Sequence, residues 1–555
     1  MVAILLLSLC INVIGITWGL PNAEGAWAAD AFRPTAPLAV ARHMFGGDRP
    51  NSGWFYFKYP LGHPLVLTAA EAPYLAWLRL TRQFQKPTNT YPYGFRHPER
   101  ALLVLALVTR AVSAVMGVAF VALAYVISAA LFGSLAGVLS AVLVSGCYPM
   151  VFYAHTSNVD VPLLCWIAVA VTLAVLGASR DSKWTSTAVG VAMAMALLTK
   201  EQSLGVLAVI PLVWLWRRHG ERGLLRRDVL GHVLYAAAGF VLTTALVGDW
   251  WWNPLGYINR WRFLLGTLPA AVRDQYAPYQ FQVQVPKSFS LASEAGRLLK
   301  VAAMTAHSVT IPVLLLCVAG VLVTVWRRPR QAAVLLLLLS GYYLLSLRAT
   351  ALLQVRYTMP FLYFLLLFGG AGAAALVQRV QAWGQRGLVA AAAVAIVALA
   401  VLPAFEIDRL LLRDPRYDAE RWLREHAGAH ARVETYEPST YLPRFGPELA
   451  VAQVPVQERT VELLRQRQPD LVVVSSGGRA GLTGRYVKDW KPGMPILAEV
   501  DAAKEFFARL RDEQLGYRQV ARFRTRTWWI DPHINSLNPE ITIFARTEEA
   551  QVVKP

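Results

Sequence analysis

Cysteine is scarce in this 555-residue chain, and the four present (Cys10, Cys147, Cys165 and Cys317) all fall within apolar stretches. That pattern excludes a disulfide framework and a thiolate metal site, and leaves each as a small buried hydrophobe. Charge is scarce too. Only 16% of residues are charged against 55% hydrophobic, with a mean hydropathy of +0.40, more apolar than a purely soluble domain tolerates. Acidic residues are rarest where apolar residues are densest. Residues 1–400 hold 31 Lys and Arg against 13 Asp and Glu, a net +18, whereas 401–555 hold 23 against 22, a net +1. The chain also lacks an H-E-x-x-H element, a P-loop, a G-x-G-x-x-G fingerprint and a cysteine cluster, so zinc hydrolysis and nucleotide binding have no motif behind them.

What is present excludes disorder, because 18 Trp, 21 Tyr and 22 Phe supply ample surface to bury. The basic residues flank apolar runs instead of forming one solvated stripe, which points to a membrane and away from nucleic acid. Runs long enough to cross about 30 Å of hydrocarbon lie near residues 2–20, 101–130, 135–150, 161–178, 185–199, 203–216, 229–247, 308–326, 331–347, 355–377 and 387–404. These predict a polytopic α-helical membrane protein with about eleven transmembrane helices.

Orientation follows from the short loops, whose cytoplasmic members carry the Lys and Arg excess. With the N-terminus inside, the inside loops hold Arg180, Lys183, Arg217, Arg218, Arg222, Arg226, Arg227, Arg327, Arg328, Arg330, Arg379 and Arg386, against Lys200, Arg348 and Arg356 outside. Residues 21–100, 248–307 and everything after about 405 then lie outside. A rival reading of the start is a signal peptide, residues 2–18 followed by Ala26-Trp27-Ala28. It lacks a basic leading region, and cleavage there would leave Asp30 almost at a new terminus.

Two domains are expected: a membrane domain over 1–404 and a soluble extracytoplasmic α/β domain over 405–555. In the second, Arg416 to His426 and Glu458 to Arg467 read as helices. Arg432–Tyr436, Leu471–Ser475 and stretches near 519–524 and 541–546 read as strands. Gly477-Gly478 after a strand reads as a turn more readily than as a phosphate cradle.

Several polar residues sit at the ends of apolar runs on the expected outer side. Asp160, in His155-Thr-Ser-Asn158-Val-Asp160-Val-Pro162, stands where a carboxylate caps a helix and where Pro162 suits the first turn. Lys200-Glu201 closes a span, as a functional pair or as snorkelling side chains. Arg356-Tyr357-x-x-Pro360 opens another. Asp30-Ala-Phe-Arg33 and Phe55-Tyr-Phe-Lys58-Tyr59-Pro60-Leu61-Gly62-His63-Pro64 add an acid, two cations, a His and aromatics beside the membrane. Such a group suits a base working next to a bound phosphate, or an interfacial aromatic belt. The three Trp of Asp249-Trp250-Trp251-Trp252-Asn253-Pro254 read as interfacial anchors before a sugar platform. All of these converge on one side of the bilayer, which suits an anionic lipid headgroup.

With these motifs the chain resembles the GT-C class of membrane glycosyltransferases, specifically the superfamily of protein O-mannosyltransferases and the bacterial lipid A aminoarabinose transferase (glycosyltransferase family 39-like). The family's D-E-x-R-Y and K-P-P-L-like elements have counterparts in Asp30-Ala-Phe-Arg33-Pro and Lys58-Tyr59-Pro60-Leu61. Its D-x-P-L element corresponds to Asp160-Val-Pro162-Leu163, L-T-K to Leu198-Thr199-Lys200, and R-Y-x-x-P to Arg356 through Pro360. Ala31 and Pro34 depart from the first element, and no W-W-D-Y-G-like element is present, which argues against an oligosaccharyltransferase.

The resemblance implies sugar transfer, with inversion, from a polyprenyl-phosphate donor to a protein, lipid or glycan acceptor at the outer face of a bacterial inner membrane. It casts Asp30 as general base and Asp160 as a second catalytic carboxylate. Arg33, Lys58, Lys200 and Arg356 would bind the donor phosphate. Tyr59, His63, His155, Asn158, Glu201 and Tyr357 would contact substrate. No cofactor is expected; a divalent metal is left open, since Asp30 and Asp160 could share one but no D-x-D element supports it. Membrane lipids are the other expected partner. The alternatives are a lipid-linked glycan ligase and a non-catalytic headgroup transporter or flippase.

Overall fold

The structure is a computed structural model that describes residues 1–21, 27–28, 31–45, 59–88, 90–177, 182–222, 227–251, 253–270, 290–350, 353–455, 458–477, 505–528, 530, 532–534 and 536–547. It contains two compact units, Met1–Ile16 with Phe32–Phe405, and Thr17–Ala31 with Glu406–Pro555.

The first unit is helical, and every one of the eleven apolar runs carries helix. Among the described residues, six helices are long and apolar enough to cross a membrane, or eight if each of two bent pairs is one span. Three of the eleven expected runs, near 2–20, 185–199 and 203–216, carry helices too short to count as full spans, and two others are bent. The run at 135–150 breaks between Ser134–Ser145 and Tyr148–Ala154 with a 63° bend, and Leu291–Val309 meets Ile311–Arg327 at 115°. The second break falls at Thr310, whose φ of 69° no helix accommodates. Val2–Val13 and Glu201–Trp216 are apolar but shorter. Hydropathy registers the apolar run and is blind to where its backbone breaks.

Without a hydrophobic drive between helices in lipid, close approach at small residues holds such a bundle together. Ile311–Arg327 and Met359–Gln381 meet this way: a Cβ on Gly320 would lie 1.8 Å from the Phe368 carbonyl oxygen, and one on Gly372 2.2 Å from that of Leu316. Lys183–Thr199 and Arg227–Val247 repeat the device, since a Cβ on Gly190 would lie 1.9 Å from the Ala236 carbonyl. At Gly62 a Cβ would lie 2.8 Å from the Leu198 carbonyl. The start of the helix Gly62–Leu80 is thereby seated against the end of Lys183–Thr199.

The second unit is built on a five-stranded sheet ordered β2-β1-β3-β5-β4, with β1 Arg432–Thr435, β2 Ala450–Gln453, β3 Leu471–Ser475, β4 Tyr517–Phe523 and β5 Ile541–Arg546. β2, β1 and β3 run parallel, while β5 is antiparallel to both β3 and β4. Side-chain alternation along β3 serves two cores: Val472 packs with Leu464, Phe506, Phe507 and Phe544, while Leu471 and Val473 pack with Ala419, Leu423, Ile541 and Ile543. β2 is absent from the sequence expectation because all four of its residues are exposed and show no buried alternation. Ser476-Gly477 forms a turn; Gly478 lies outside the described residues.

Thr17–Ala31 joins this second unit through two arginines, Arg416 and Arg444, the latter donating from Nη1 to the Leu20 carbonyl at 2.7 Å. Arg416, wholly buried, donates from Nε to Asp414 Oδ1 (2.8 Å) and from Nη2 to Asp414 Oδ2 (2.7 Å) and the Ser536 carbonyl (2.8 Å). Its guanidinium lies 4.1 Å from the Trp27 ring centre and 5.2 Å from that of Trp18, whose indole N–H donates to Asp414 Oδ2 at 3.0 Å. Removing one partner of a fully buried pair costs roughly 3–5 kcal/mol, because the other charge stays buried. Asp414→Ala in the full chain should therefore make the second unit sensitive to limited proteolysis at temperatures where the wild type resists it. Unchanged protection would show that Arg416 does not depend on this carboxylate.

Candidate active site

The helix Asp160–Gly177 begins at its carboxylate, Lys183–Thr199 ends one residue before its ammonium, and Val355–Thr358 presents Arg356 at the start of Met359–Gln381. Three helix ends thus deliver three charges to one place. Lys200 Nζ donates to Asp160 Oδ1 at 2.6 Å, with side chains 6% and 2% exposed. The ammonium also lies 4.7 Å from the Tyr357 ring centre and 5.8 Å from that of Tyr59. The Arg356 guanidinium is 5.0 Å from the Tyr357 ring, and its Nη2 donates to the Tyr357 hydroxyl at 3.2 Å. Tyr357 is held in turn by Tyr342, whose hydroxyl donates to the Tyr357 carbonyl at 2.7 Å. Burial holds the Tyr59 phenol well above its ordinary range; Arg356 works against that rise, and Asp160, Tyr357 and Glu201 add to it.

Asp160 does not act as a helix cap. One carboxylate oxygen is engaged by Lys200, and the other, Oδ2, is buried and accepts no hydrogen bond among the described residues. The capping alternative fails because a buried ammonium outcompetes a backbone amide for the carboxylate. Glu201 turns the other way and accepts from Arg260 Nε at 2.8 Å. Arg260 lies on Pro254–Leu264, and with Pro60, Leu197, Gly248 and Tyr257 it lines a crevice beside Glu201. Nothing in the sequence signals Arg260, whose partner lies 59 positions away.

Other expected residues take different places. His155 is buried with Nδ1 2.8 Å from the Val151 carbonyl and Nε2 against the Ile14 carbonyl, tying the end of the first helix to Tyr148–Ala154. Asn158 Oδ1 accepts from the Thr156 hydroxyl at 2.7 Å. Arg33 is exposed. Asp30 and Lys58 lie outside the described residues, but the chain just after Asp30 is tethered beside Asp160: the Phe32 amide donates to the Ser157 carbonyl at 3.1 Å, and the Ser157 hydroxyl returns to the Phe32 carbonyl at 3.0 Å. The Phe32 ring lies 6.2 Å from Tyr59 and 5.7 Å from His63. Among the described residues, no three His, Cys, Asp or Glu side chains form a metal-binding group.

His63 is fully buried with neither ring nitrogen bonded among the described residues, and Glu71, two turns further along Gly62–Leu80, is buried with neither oxygen bonded among them. Burial pushes the His63 imidazole down to about 3 and the Glu71 carboxyl up to about 9, so both are neutral near pH 7.

Residues 104–251, which include Asp160 and Lys200, match the family model described as dolichyl-phosphate-mannose-protein mannosyltransferase. The GT-C resemblance read from the sequence is thereby supported by a family match over this stretch. No curated protein sequence matches the chain. Among solved structures it is similar to the oligosaccharyltransferase of Archaeoglobus fulgidus, at 12% identity over 89% of this chain and 70% of that one, with a TM-score of 0.49. It is similar to ArnT of Cupriavidus metallidurans in the apo state at 13% identity over 100% and 98%, with a TM-score of 0.43. For the sugar-donor-bound Pmt1-Pmt2 O-mannosyltransferase complex of S. cerevisiae the values are 15%, 48% and 36%, with a TM-score of 0.31.

Two predictions follow from the geometry. Asp160→Asn and Lys200→Met should each lower the melting temperature in detergent, and the double variant should lose clearly less than the sum, since each single change strands a buried group; additive losses would mean the pair is not formed. For the neutral pair, Glu71 ionises near 4.5 when unfolded and near 9 when folded, so its contribution is complete below pH 4.5 and is lost as pH rises toward 9. His63 takes its proton near 6.5 when unfolded and near 3 when folded, so stability falls as pH drops through that window. Melting curves against pH should show a shallower alkaline decline for Glu71→Gln and a shallower acid decline for His63→Gln. Profiles parallel to the wild type would contradict both assignments.

Proposed function

We propose that the chain is a glycosyltransferase that moves a sugar from a polyprenyl-phosphate donor to a protein, lipid or glycan acceptor at the outer face of the membrane. The observation that carries this reading is the buried group Asp160, Lys200, Arg356 and Tyr59, with the half-buried Tyr357 between the two cations. Ionisable residues at membrane-helix ends ordinarily snorkel to water, so a pair held almost wholly out of solvent there is a functional-site candidate. The same reading places the enzyme in a bacterial inner membrane, with the site and residues 405–555 on the extracytoplasmic side, in line with the Lys and Arg bias of the short loops.

In this mechanism the acceptor nucleophile attacks the anomeric carbon as the bond to the phosphate oxygen breaks, inverting the centre in one displacement. Asp30, in the role that the resemblance implies, takes the acceptor proton. The leaving polyprenyl phosphate gains charge as the bond breaks, and Arg356 neutralises it through donors that need no reorganisation, with Lys58 and Arg33 as further cations. Lys200 arrives already paired, so its field at the phosphate is shared with Asp160. The open oxygen of Asp160 accepts from the incoming acceptor and orients it. Tyr59 and Tyr357 wall the ammonium, and the Glu201–Arg260 pair anchors the turn that carries it.

The test is mass spectrometry of products after mixing purified wild type, and separately Asp30→Asn, with a panel of polyprenyl-phosphate sugars and extracted envelope acceptors. Wild type should release free polyprenyl phosphate and glycosylated acceptor, and Asp30→Asn should lose at least 100-fold in turnover with its melting temperature unchanged. Transfer of an entire glycan would move the reading to a lipid-linked glycan ligase. Equal turnover by the variant would remove Asp30 as the base, and donor binding without release would favour a headgroup transporter.

A further inference from the structure

At the other end of the first unit lies a second polar feature that the reaction does not use. The helix Met359–Gln381 starts beside Arg356, and about 20 residues later, some 30 Å along its axis, it borders an open crevice of about 340 Å³. That separation is the thickness of the hydrocarbon core, so the crevice sits at the opposite membrane surface.

Its wall is apolar toward the bilayer interior, with Phe132, Val323, Ala371 and Ala374, and its mouth carries Arg327 and Arg328 at the end of Ile311–Arg327, with the Gln378 amide beside them. Arg328 is anchored there, since its Nη1 donates to the Leu131 carbonyl at 3.1 Å. No acidic side chain lines the crevice. Ser134 and Leu135, the first residues of Ser134–Ser145, form part of the lining, and that helix starts from Gly133, which has no side chain to cap its amides. An arginine at a helix end ordinarily serves its own helix dipole. Here two exposed guanidinium groups border a crevice whose other polar side chains are two hydroxyls and one neutral amide, above an apolar floor.

We propose that this crevice is a binding site for an anionic glycerophospholipid, with the phosphodiester held by Arg327, Arg328 and the first amides of Ser134–Ser145, and the upper acyl carbons lying on Phe132, Val323 and the alanines. Charge complementarity selects a net negative headgroup over a zwitterionic one, because the ammonium of a zwitterion would face two guanidinium groups and no lining carboxylate. The site is distinct from the Asp160–Lys200 group and takes a lipid as a resident component.

The experiment is native mass spectrometry of the full chain released from detergent, with phosphatidylglycerol, phosphatidylcholine of the same acyl chains, or glycerol 3-phosphate added. Phosphatidylglycerol should be retained at least fivefold more than phosphatidylcholine. Arg327→Gln/Arg328→Gln should lose that preference, while Arg330→Gln, an exposed arginine outside the crevice, should keep it. Arg327→Gln alone, which leaves the Leu131 contact intact, should lose at least half of the preference if the double variant does not fold. Displacement of the lipid by millimolar glycerol 3-phosphate would show a soluble-anion site and overturn the proposal. Equal retention of the two lipids, or an equal loss in Arg330→Gln, would overturn it as well.

Discussion

The contact between Lys200 and Asp160 is the constraint around which the first unit is arranged. Two opposite charges at 2.6 Å, almost without solvent exposure, recover in Coulomb energy about what they lose in desolvation, so such a pair contributes little net stability. Its effect is geometric. It fixes the end of one helix against the start of another, and it leaves one buried carboxylate oxygen without a hydrogen bond among the described residues. The rings of Tyr59 and Tyr357 over the ammonium supply attraction that water would otherwise provide. Tyr342, Arg356 and the Phe32–Ser157 hydrogen bonds then brace the elements that carry those rings.

Helix ends are where a membrane protein can keep such groups. Within hydrocarbon the backbone must satisfy itself, so lipid-facing positions are apolar and the chemistry moves to the termini, where helices break and loops fold back. Glycine makes the arrangement compact. At Gly62 the absence of a Cβ lets the start of one helix rest on the Leu198 carbonyl, two residues before Lys200, which brings Tyr59 and His63 to the same level as the ion pair. Gly320, Gly372 and Gly190 do the same deeper in the bundle, where close backbone approach replaces a hydrophobic drive that lipid removes.

The distribution of charge follows the same logic at larger scale. The group around Asp160 mixes signs and is buried, whereas the arginines at the far ends of the helices are exposed and face no acid across the crevice between them. In the second unit charge is balanced, and its best-buried cation, Arg416, spends its donors on Asp414 and two carbonyls. That arginine serves packing, as its stacking on Trp27 and Trp18 shows.

Composition and run length by themselves determined that the chain belongs in a membrane and that helices occupy all eleven apolar stretches, because hydropathy is a local sum that any fold must respect. The same local signals placed strands at Leu471–Ser475 and Ile541–Arg546, where buried alternation is written into neighbouring residues. The residue types at the ends of the runs, with the motifs around Asp160, Lys200 and Arg356, singled out residues that the structure brings together. Only the tertiary structure decided which of them meet. Asp160 bonds a lysine 40 positions away instead of its own helix, Glu201 takes Arg260, and His155 becomes a clamp on the Ile14 carbonyl. It also decided that two apolar runs bend at Gly146-Cys147 and Thr310, and that Ala450–Gln453 forms an exposed edge strand. Each of these depends on a partner distant in sequence, and a pattern confined to neighbouring residues carries no information about which distant group will fill a vacancy.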